Sequence, residues 1–487
     1  MAAARSVANS SRLASRKTRY ASSAVTALVK TARSQHTNSS SRRRLHSSSP
    51  KDASIPLTTP ASTTPAQSQA TLTVPSAPAL SQLPLSQILR TYFMTSISSS
   101  PPLMSASTGL LRAMLESNSP IFDLRNPVMR QLLYETFYKQ FCAGWDKASI
   151  QKTTSEMRNL GYAGVILEYA LEVLKDTTTK TDEGKDVEIW RSGMLETVAM
   201  AAPGDFLGLK WSGMGPAAMR RMKTNEDPSQ EMKEAMHAVC RAARDKNIGL
   251  LPAAEETWSL EGFHRWCMDL QREYNVNGKS VIYGTYQAYL KQNPQWLARH
   301  LEVAKAEGFT LGVKLVRGAY LGSEKRSLIW PDIETTHHAY DTTASALIHR
   351  EYNSLLQSTT LSSPFPQDIN VVIASHNAST VAKTRLWRQT QASHDLSLTP
   401  LVYAQLQGMA DEVSCTLLAA AKSGAAGEKG VKERVFKCTT WGEMHMCLNY
   451  LLRRAAENRD AASRTKATRD AMGEEIRRRM FAGAGMG

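Results

Sequence analysis

From Gly161 onward the chain keeps one rhythm, a short apolar or β-branched run followed by a longer stretch with helical spacing, and that rhythm restricts the fold more than any other feature. The runs are "GVILEY" (164–169), "FLGLKWS" (206–212), "IGLLPAA" (248–254), "VIYGTYQ" (281–287), "TLGVKLVRG" (310–318), "NVVIASHN" (370–377), "LVYAQLQG" (401–408) and "RVFKCTTWG" (434–442). Near-continuous apolar strands separated by crossover helices make a parallel sheet whose faces are both covered. Eight such units over about 300 residues fit a closed (β/α)8 barrel of the α/β class. An open doubly wound sheet is the alternative topology. Polar inserts such as "DTTTKTDEGKDVE", "KTNEDPSQ", "QSTTLSSPFPQD" and "SGAAGEKG" are expected as surface loops.

The segment before this rhythm has a different character. Residues 1–51 hold 11 of the 59 Lys and Arg and no Asp or Glu; the remaining 48 basic residues face 44 acidic ones, a balance of only +4. The pI of 9.5 therefore describes the leading segment rather than a basic folded surface, and a nucleic-acid partner is not expected. An acid-free, Arg- and Ser-rich opening with a short apolar patch at 24–29 has the composition of a mitochondrial transit peptide, assigned to 1–50. No secretory apolar core follows the first charges. Residues 51–84, rich in Ser, Thr, Pro and Ala, are expected to be a disordered linker because they cannot bury enough surface to offset chain entropy. Helical patterns in "LSQILRTYFMTS" and "NPVMRQLLYETFYKQFCAG" give an N-terminal helical arm over 85–160, ahead of a barrel over 161–487. Six scattered cysteines show no C-x-x-C spacing, which argues for free thiols over a disulfide framework or structural zinc. No run is long and apolar enough to span a bilayer.

One helical segment after the eighth run carries an unusual face. In "LNYLLRRAAEN", Tyr450, Arg453, Arg454 and Glu457 stand at i, i+3, i+4 and i+7, within an arc of about 100°. Two guanidinium forks beside an aromatic ring suit a carboxylate, though a solvated face with a local ion pair has the same spacing. Position adds weight, since chemistry on such barrels gathers at the C-terminal strand ends. Those ends are polar here: Lys314, Arg317 and Tyr320 follow the fifth strand, His376 and Asn377 the sixth, and Gln287 ends the fourth.

Together "KLVRGAYL", "TYQAYL", "ASHN", "LQGM" and "YLLRRAAEN" resemble, in order and spacing, the proline dehydrogenases, with further likeness in "ETFYKQFCAGWD" and "GVILEYALE". The likeness spans about 126–460. It implies a flavoenzyme that oxidises L-proline to pyrroline-5-carboxylate with FAD and passes electrons to a ubiquinone-type acceptor, peripherally attached to the matrix face of the inner mitochondrial membrane. By the same resemblance Arg453 and Arg454 clamp the substrate carboxylate, Glu457 orients them, Tyr450 packs over the substrate, Tyr320 helps close the pocket, Lys210 adds a polar contact and Leu406 an apolar wall. Gln287, Lys314, Val316, Gly318, His376 and Asn377 match the flavin contacts. The family binds FAD without a Gly-rich dinucleotide turn, and no G-x-G-x-x-G occurs here.

Two positions depart from the family pattern. Ala253 in "LLPAAEET" stands where an acid is usual, leaving Glu255 as the nearest carboxylate, and Cys438 stands where a substrate-packing Tyr is usual. The second change points to hydroxyproline or a related cyclic imino acid as an alternative substrate, and both leave a noncatalytic barrel with a binding role as a further reading. No metal is expected: His337 and His338 point about 100° apart on a helix with no further ligand at a matching spacing. Trp211 and Trp441 are expected to pack under loops. The segments "SRTKATRD" and "EEIRRRM" are expected to form a solvated charged helix.

Overall fold

The computed structural model describes residues 78–116, 124–170, 182–360, 363–424, 431–457 and 462–483. The expected transit peptide and most of the linker lie outside the described residues, as does the "SGAAGEKG" insert from residue 425. All eight expected strands form: β2 (Gly164–Tyr169), β3 (Phe206–Leu209), β4 (Gly249–Pro252), β5 (Gly284–Gln287), β6 (Leu311–Val316), β7 (Ile369–Ala374), β8 (Leu401–Leu406) and β9 (Val435–Trp441). A short strand that the sequence reading did not separate from its helix, β1 (Cys142–Gly144), pairs with the C-terminal end of β9. Every pairing is parallel, in the order β4-β3-β2-β9-β8-β7-β6-β5. The first and last barrel strands join along their whole length, from Gly164 opposite Phe436 to Tyr169 opposite Trp441.

The remaining seam, between β4 and β5, is a bridge from Leu250 to Ile282. Its narrowness is offset by side chains. Buried Asn275 accepts from the Val281 and Ile282 amides and donates to the Ile282 and Thr310 carbonyls, while Thr285 Oγ1 donates to the Pro252 carbonyl across the seam. The result is the closed barrel rather than the open sheet.

A helix follows each barrel strand, and two hydrophobic layers result. Between strands and helices lies the larger core, which includes Trp190, Trp211, Phe263, Trp266, Tyr286 and Tyr340. Within the barrel a smaller cluster, Ile166, Phe206, Leu251, Tyr283, Val372, Val402, Ala404 and Phe436, fills the N-terminal half. Trp211 and Trp441 are both buried, the first donating to Cys267 Sγ and the second stacked on Tyr169 with its Nε1 on Thr197.

Several expectations change in detail. The last linker residues, 78–84, are ordered: Leu80 and Leu83 are buried in a cluster with Ile88, Cys415 and Met472. The arm contains an additional helix, Pro101–Glu116, after Leu85–Ser98. Its later part is interrupted by a π-helical turn, Tyr134–Tyr138, which aims the buried Tyr138 hydroxyl at the Gly442 carbonyl, 2.7 Å away. The insert "DTTTKTDEGKDVE" is described only from residue 182, and there it opens the helix Glu183–Met200 instead of a loop. The C-terminal charged helix, Ala462–Gly483, is not a solvated one. It packs on Leu85–Ser98, burying Met472 and Glu475, with Arg478 and Arg479 paired to Glu475 and Arg479 donating to the Leu80, Ser81 and Leu83 carbonyls. Its composition conceals this because the buried stripe is narrow and the charges satisfy one another.

Candidate active site

The apolar cluster inside the barrel sets the facing of every strand, since successive side chains alternate. Continuing two and four residues toward the C-terminal end, the inward positions become Glu168 on β2, Gly208 and then Lys210 after β3, Thr285 and Gln287 on β5, Lys314 and Val316 on β6, His376 beyond β7, Leu406 on β8 and Cys438 on β9. Register agrees: Thr285 pairs with Lys314, Lys314 with Val372, and Leu406 with Cys438. A dry floor thus gives way, within one turn of the barrel, to a polar mouth.

Glu168 is the centre of that mouth, and sequence reasoning missed it. Its Oε2 accepts from Tyr450 Oη at 3.2 Å and from Cys438 Sγ at 3.8 Å. The only charged residue in "GVILEY" was the available signal, but a strand buried on both faces does not reveal which parity points inward. Room for the side chain comes from Gly208, where an added Cβ would stand 3.3 Å from Glu168 Cβ. Burial beside Glu168 holds the Cys438 thiol well above its usual pKa, so it remains a protonated donor. A small cavity of about 10 Å³, room for about one water, is lined by Glu168, Tyr169, Trp190, Met194, Leu209, Lys210 and Tyr450.

Lys314 rises from β6 into the same space. Its Nζ makes no hydrogen bond to the described residues. Loss of water lowers its pKa, nearby Cys438 and Glu168 oppose that shift, and Lys210 adds to it. The arrangement is a partly buried ammonium facing Glu168 and Cys438.

The helix Met444–Glu457 stands over this mouth. Tyr450 is buried against Glu168, and the Arg454 guanidinium lies 5.2 Å from the Tyr450 ring centre. Arg453 is half-buried beside it; Glu457 ends the helix, and its side chain lies outside the described residues. Tyr450 and Arg454 are therefore brought together with Glu168, Lys210 and Cys438.

The flavin-matching positions line the opposite arc, each with a distinct local role. Gln287 is fully buried, donating to the Glu255 carbonyl at 3.0 Å and accepting from the Ala319 amide at 3.3 Å. Gly318, at φ +150°, is confined to glycine because a Cβ would fall 2.4 Å from the Tyr289 ring. His376 Nε2 accepts from the Leu406 amide at 3.0 Å, which leaves the ring proton on Nδ1. Asn377 caps the helix Ala378–Ser393 through the Thr380 amide, so its side chain shapes that helix N-terminus. Val316 accepts, through its carbonyl, from the Ala288 amide. Leu406 is 42% exposed, an apolar side chain standing in the mouth. Tyr320 donates its hydroxyl to the Ala254 carbonyl at 2.7 Å, which fixes the ring beside the strand ends. Arg317 turns outward to His337, Ser375 and Thr380 and lies over Tyr340, an anchor for the helix-bearing loops.

The proline dehydrogenase family model matches residues 150–467, more than half of the chain. A Schizosaccharomyces pombe protein named "Probable proline dehydrogenase, mitochondrial" is 27% identical over 82% of this chain and 89% of its own. Human "Proline dehydrogenase 1, mitochondrial" is 26% identical over 71% and 58%, and bovine "Hydroxyproline dehydrogenase" 27% over 72% and 82%. Among solved structures, proline utilization A from Bdellovibrio bacteriovorus superposes with a TM-score of 0.58 at 15% identity, covering 76% of this chain and 38% of the bacterial one, a likeness of fold. With a mitochondrial set of relatives, a matching barrel and a family match running from the helix before β2 to the helix after the arginine pair, the chain belongs to the proline dehydrogenase family.

Proposed function

We propose that the protein oxidises L-proline to pyrroline-5-carboxylate with FAD, working at the matrix face of the inner mitochondrial membrane and delivering electrons to a quinone. The observation that carries this reading is the linkage of the arginine helix to the barrel interior through Tyr450 and Glu168, directly beside Lys210.

When bound, the flavin supplies the hydride acceptor for the ring carbon next to nitrogen. The donor set would suit such a group: Lys314 would offer it an ammonium, Gln287 and Val316 would border it, Gly318 would let the backbone approach, and His376 and Asn377 would order the β7 end and its helix N-terminus. Arg453 and Arg454 bind the carboxylate by planar, charge-assisted hydrogen bonds. Glu457 orients them from the next turn of the helix. Tyr450 covers the substrate and is itself held by Glu168. Lys210 adds a polar contact, while Leu406 and the Tyr320 ring exclude water. The chain's main contribution is orientation.

A second substrate has a specific observation behind it. Cys438 offers a small, weakly polar wall where the family has an aromatic ring, and one relative is named a hydroxyproline dehydrogenase. Hydroxyproline is therefore included in the test. The purified protein should show flavin absorbance bands that bleach on anaerobic addition of proline, and should reduce a soluble dye. Flavin without turnover of either imino acid would restore the noncatalytic reading.

A further inference from the structure

Two loops at the barrel mouth exchange carboxylates. The loop after β4 covers 253–259 and enters the helix Leu260–Tyr274 through the turn Thr257–Ser259, and the loop after β6 carries 320–324. Glu256 occupies the N-cap of that turn, yet its side chain caps nothing there. Its buried carboxylate accepts from Ser323 Oγ, in the other loop, at 2.5 Å and from Trp258 Nε1. The other loop returns the service: the Thr257 amide, which the turn leaves over, donates to Glu324 Oε1 at 2.6 Å. The Ser323 and Glu324 amides both close on the Tyr320 carbonyl, at 3.1 and 2.9 Å, so these three residues form one turn.

The position of 253–257 matters because its backbone holds two residues of the candidate site. The Ala254 carbonyl accepts from the Tyr320 hydroxyl, and the Glu255 carbonyl accepts from the Gln287 side chain. Ala253 offers no side-chain acceptor. Tyr320 therefore relies on a backbone oxygen, which is fixed only as well as its loop. Strand pairing with β3 ends at Pro252, and the Ala253 amide on the Leu209 carbonyl is the last bond of that edge. The other edge of β4 is the barrel's narrow seam. Above it the β6 loop also bonds to the β5 loop, through the Trp330 amide to the Tyr289 carbonyl and the Lys291 amide to the Leu328 carbonyl, so it reaches across the mouth from a fixed base.

We propose that Glu256 and Glu324 are positioning residues, a reciprocal clasp that fixes the Tyr320 ring at the barrel mouth and thereby sets the affinity for substrate. The effect on substrate rests on the proposed role of that ring as a pocket wall. Either bond alone keeps the two loops joined. Loss of both frees them, and two restraints acting in parallel have a signature that independent contacts lack.

The test uses the full chain with its flavin. Ser323→Ala and Glu324→Ala should each raise KM for proline about two- to threefold, and the double variant by more than the product, about tenfold or beyond, with kcat within about twofold of wild type. Ser323→Thr keeps the hydroxyl and should keep the wild-type KM. In a Tyr320→Leu background the double substitution should add little. Amide hydrogen exchange reads the clasp without turnover: Ser323→Ala should speed exchange at 254–258, and Glu256→Gln at 320–324. A double effect at or below the product, a double effect undiminished without the Tyr320 ring, losses in kcat alone, or faster exchange confined to the substituted loop would each overturn the proposal. Wild type that binds flavin but turns over neither imino acid would overturn the catalytic reading, and the exchange result would then decide the clasp by itself.

Discussion

Glu168→Gln keeps the shape of the side chain and its acceptor oxygen but removes a negative charge that stands near Lys210 and Lys314. The bond at risk is Tyr450 Oη to Glu168 Oε2. At 3.2 Å it is longer than the strongest hydroxyl-to-carboxylate bonds of about 2.5 to 2.7 Å. Its worth is therefore taken at the lower end of the range for charged acceptors, about 1.5 kcal/mol, against about 0.5 kcal/mol for the neutral amide. The substitution should then cost about 1 kcal/mol, a roughly fivefold loss in kcat/KM for proline, and Tyr450→Phe about 1.5 kcal/mol, roughly tenfold. Because both act on one bond, the double variant should lose less than the product of the two. The coupling should be about 1 kcal/mol, outside the 0.3 to 0.5 kcal/mol scatter expected of independent sites. Both effects should appear mainly in KM, since Tyr450 and the arginines ride on one helix, with flavin absorbance retained. Simple additivity, or losses confined to kcat with KM unmoved, would refute the argument that Glu168 positions the substrate clamp.

Other outcomes follow from neighbouring features. Arg453→Met and Arg454→Met should each raise KM for proline strongly, about 1.5 to 3 kcal/mol in kcat/KM, while bound flavin persists; unchanged KM in both would return the helix to a surface role. Cys438→Tyr should shift the proline to hydroxyproline ratio of kcat/KM toward proline by about 1 to 3 kcal/mol, and an unaltered ratio would remove Cys438 from the pocket wall. His264 and His300 are buried against Tyr286 and Trp296, and burial depresses both pKa values, that of His300 to about 3. With folded values below the ordinary 6.5 or so, the unfolded chain binds more protons between about pH 3 and 6.5. Stability is then complete above that window and falls as pH drops through it. His300→Gln should flatten the acid side of a melting-temperature profile; an unchanged slope would exclude the pair.

The barrel was legible because its strands are apolar on both faces and its helices are separated from them by polar turns, so "NVVIASHN" or "LVYAQLQG" could hardly be read otherwise. That same double burial hid Glu168: in "GVILEY" nothing distinguishes the inward side from the outward one until the neighbouring strands fix the register. The shared face of Tyr450 and the arginine pair was legible because it lies on a helix, whose period is visible in one segment. Tyr320 and Asn377 were found as types, but their hydroxyl and amide are engaged by the Ala254 carbonyl and the Thr380 amide, partners distant in sequence or supplied by local capping. The C-terminal helix was misread for a related reason. Arg478 and Arg479 neutralise Glu475 within its own turns, and the partner that buries Met472 lies almost 400 residues earlier.

That long-range clasp sets an order of events. The inner side of Leu85–Ser98 is covered by Ala462–Gly483, and Arg479 holds the carbonyls of Leu80, Ser81 and Leu83. A chain made from its N-terminus completes all eight barrel strands before Ala462–Gly483 can join Gln140 and Cys415 against the inner side of that helix. Contacts of such sequence separation carry a high loop-closure cost and form late. The inner side of the helix accordingly stays incompletely covered through most of synthesis, a natural hold for a chaperone until the last helix arrives.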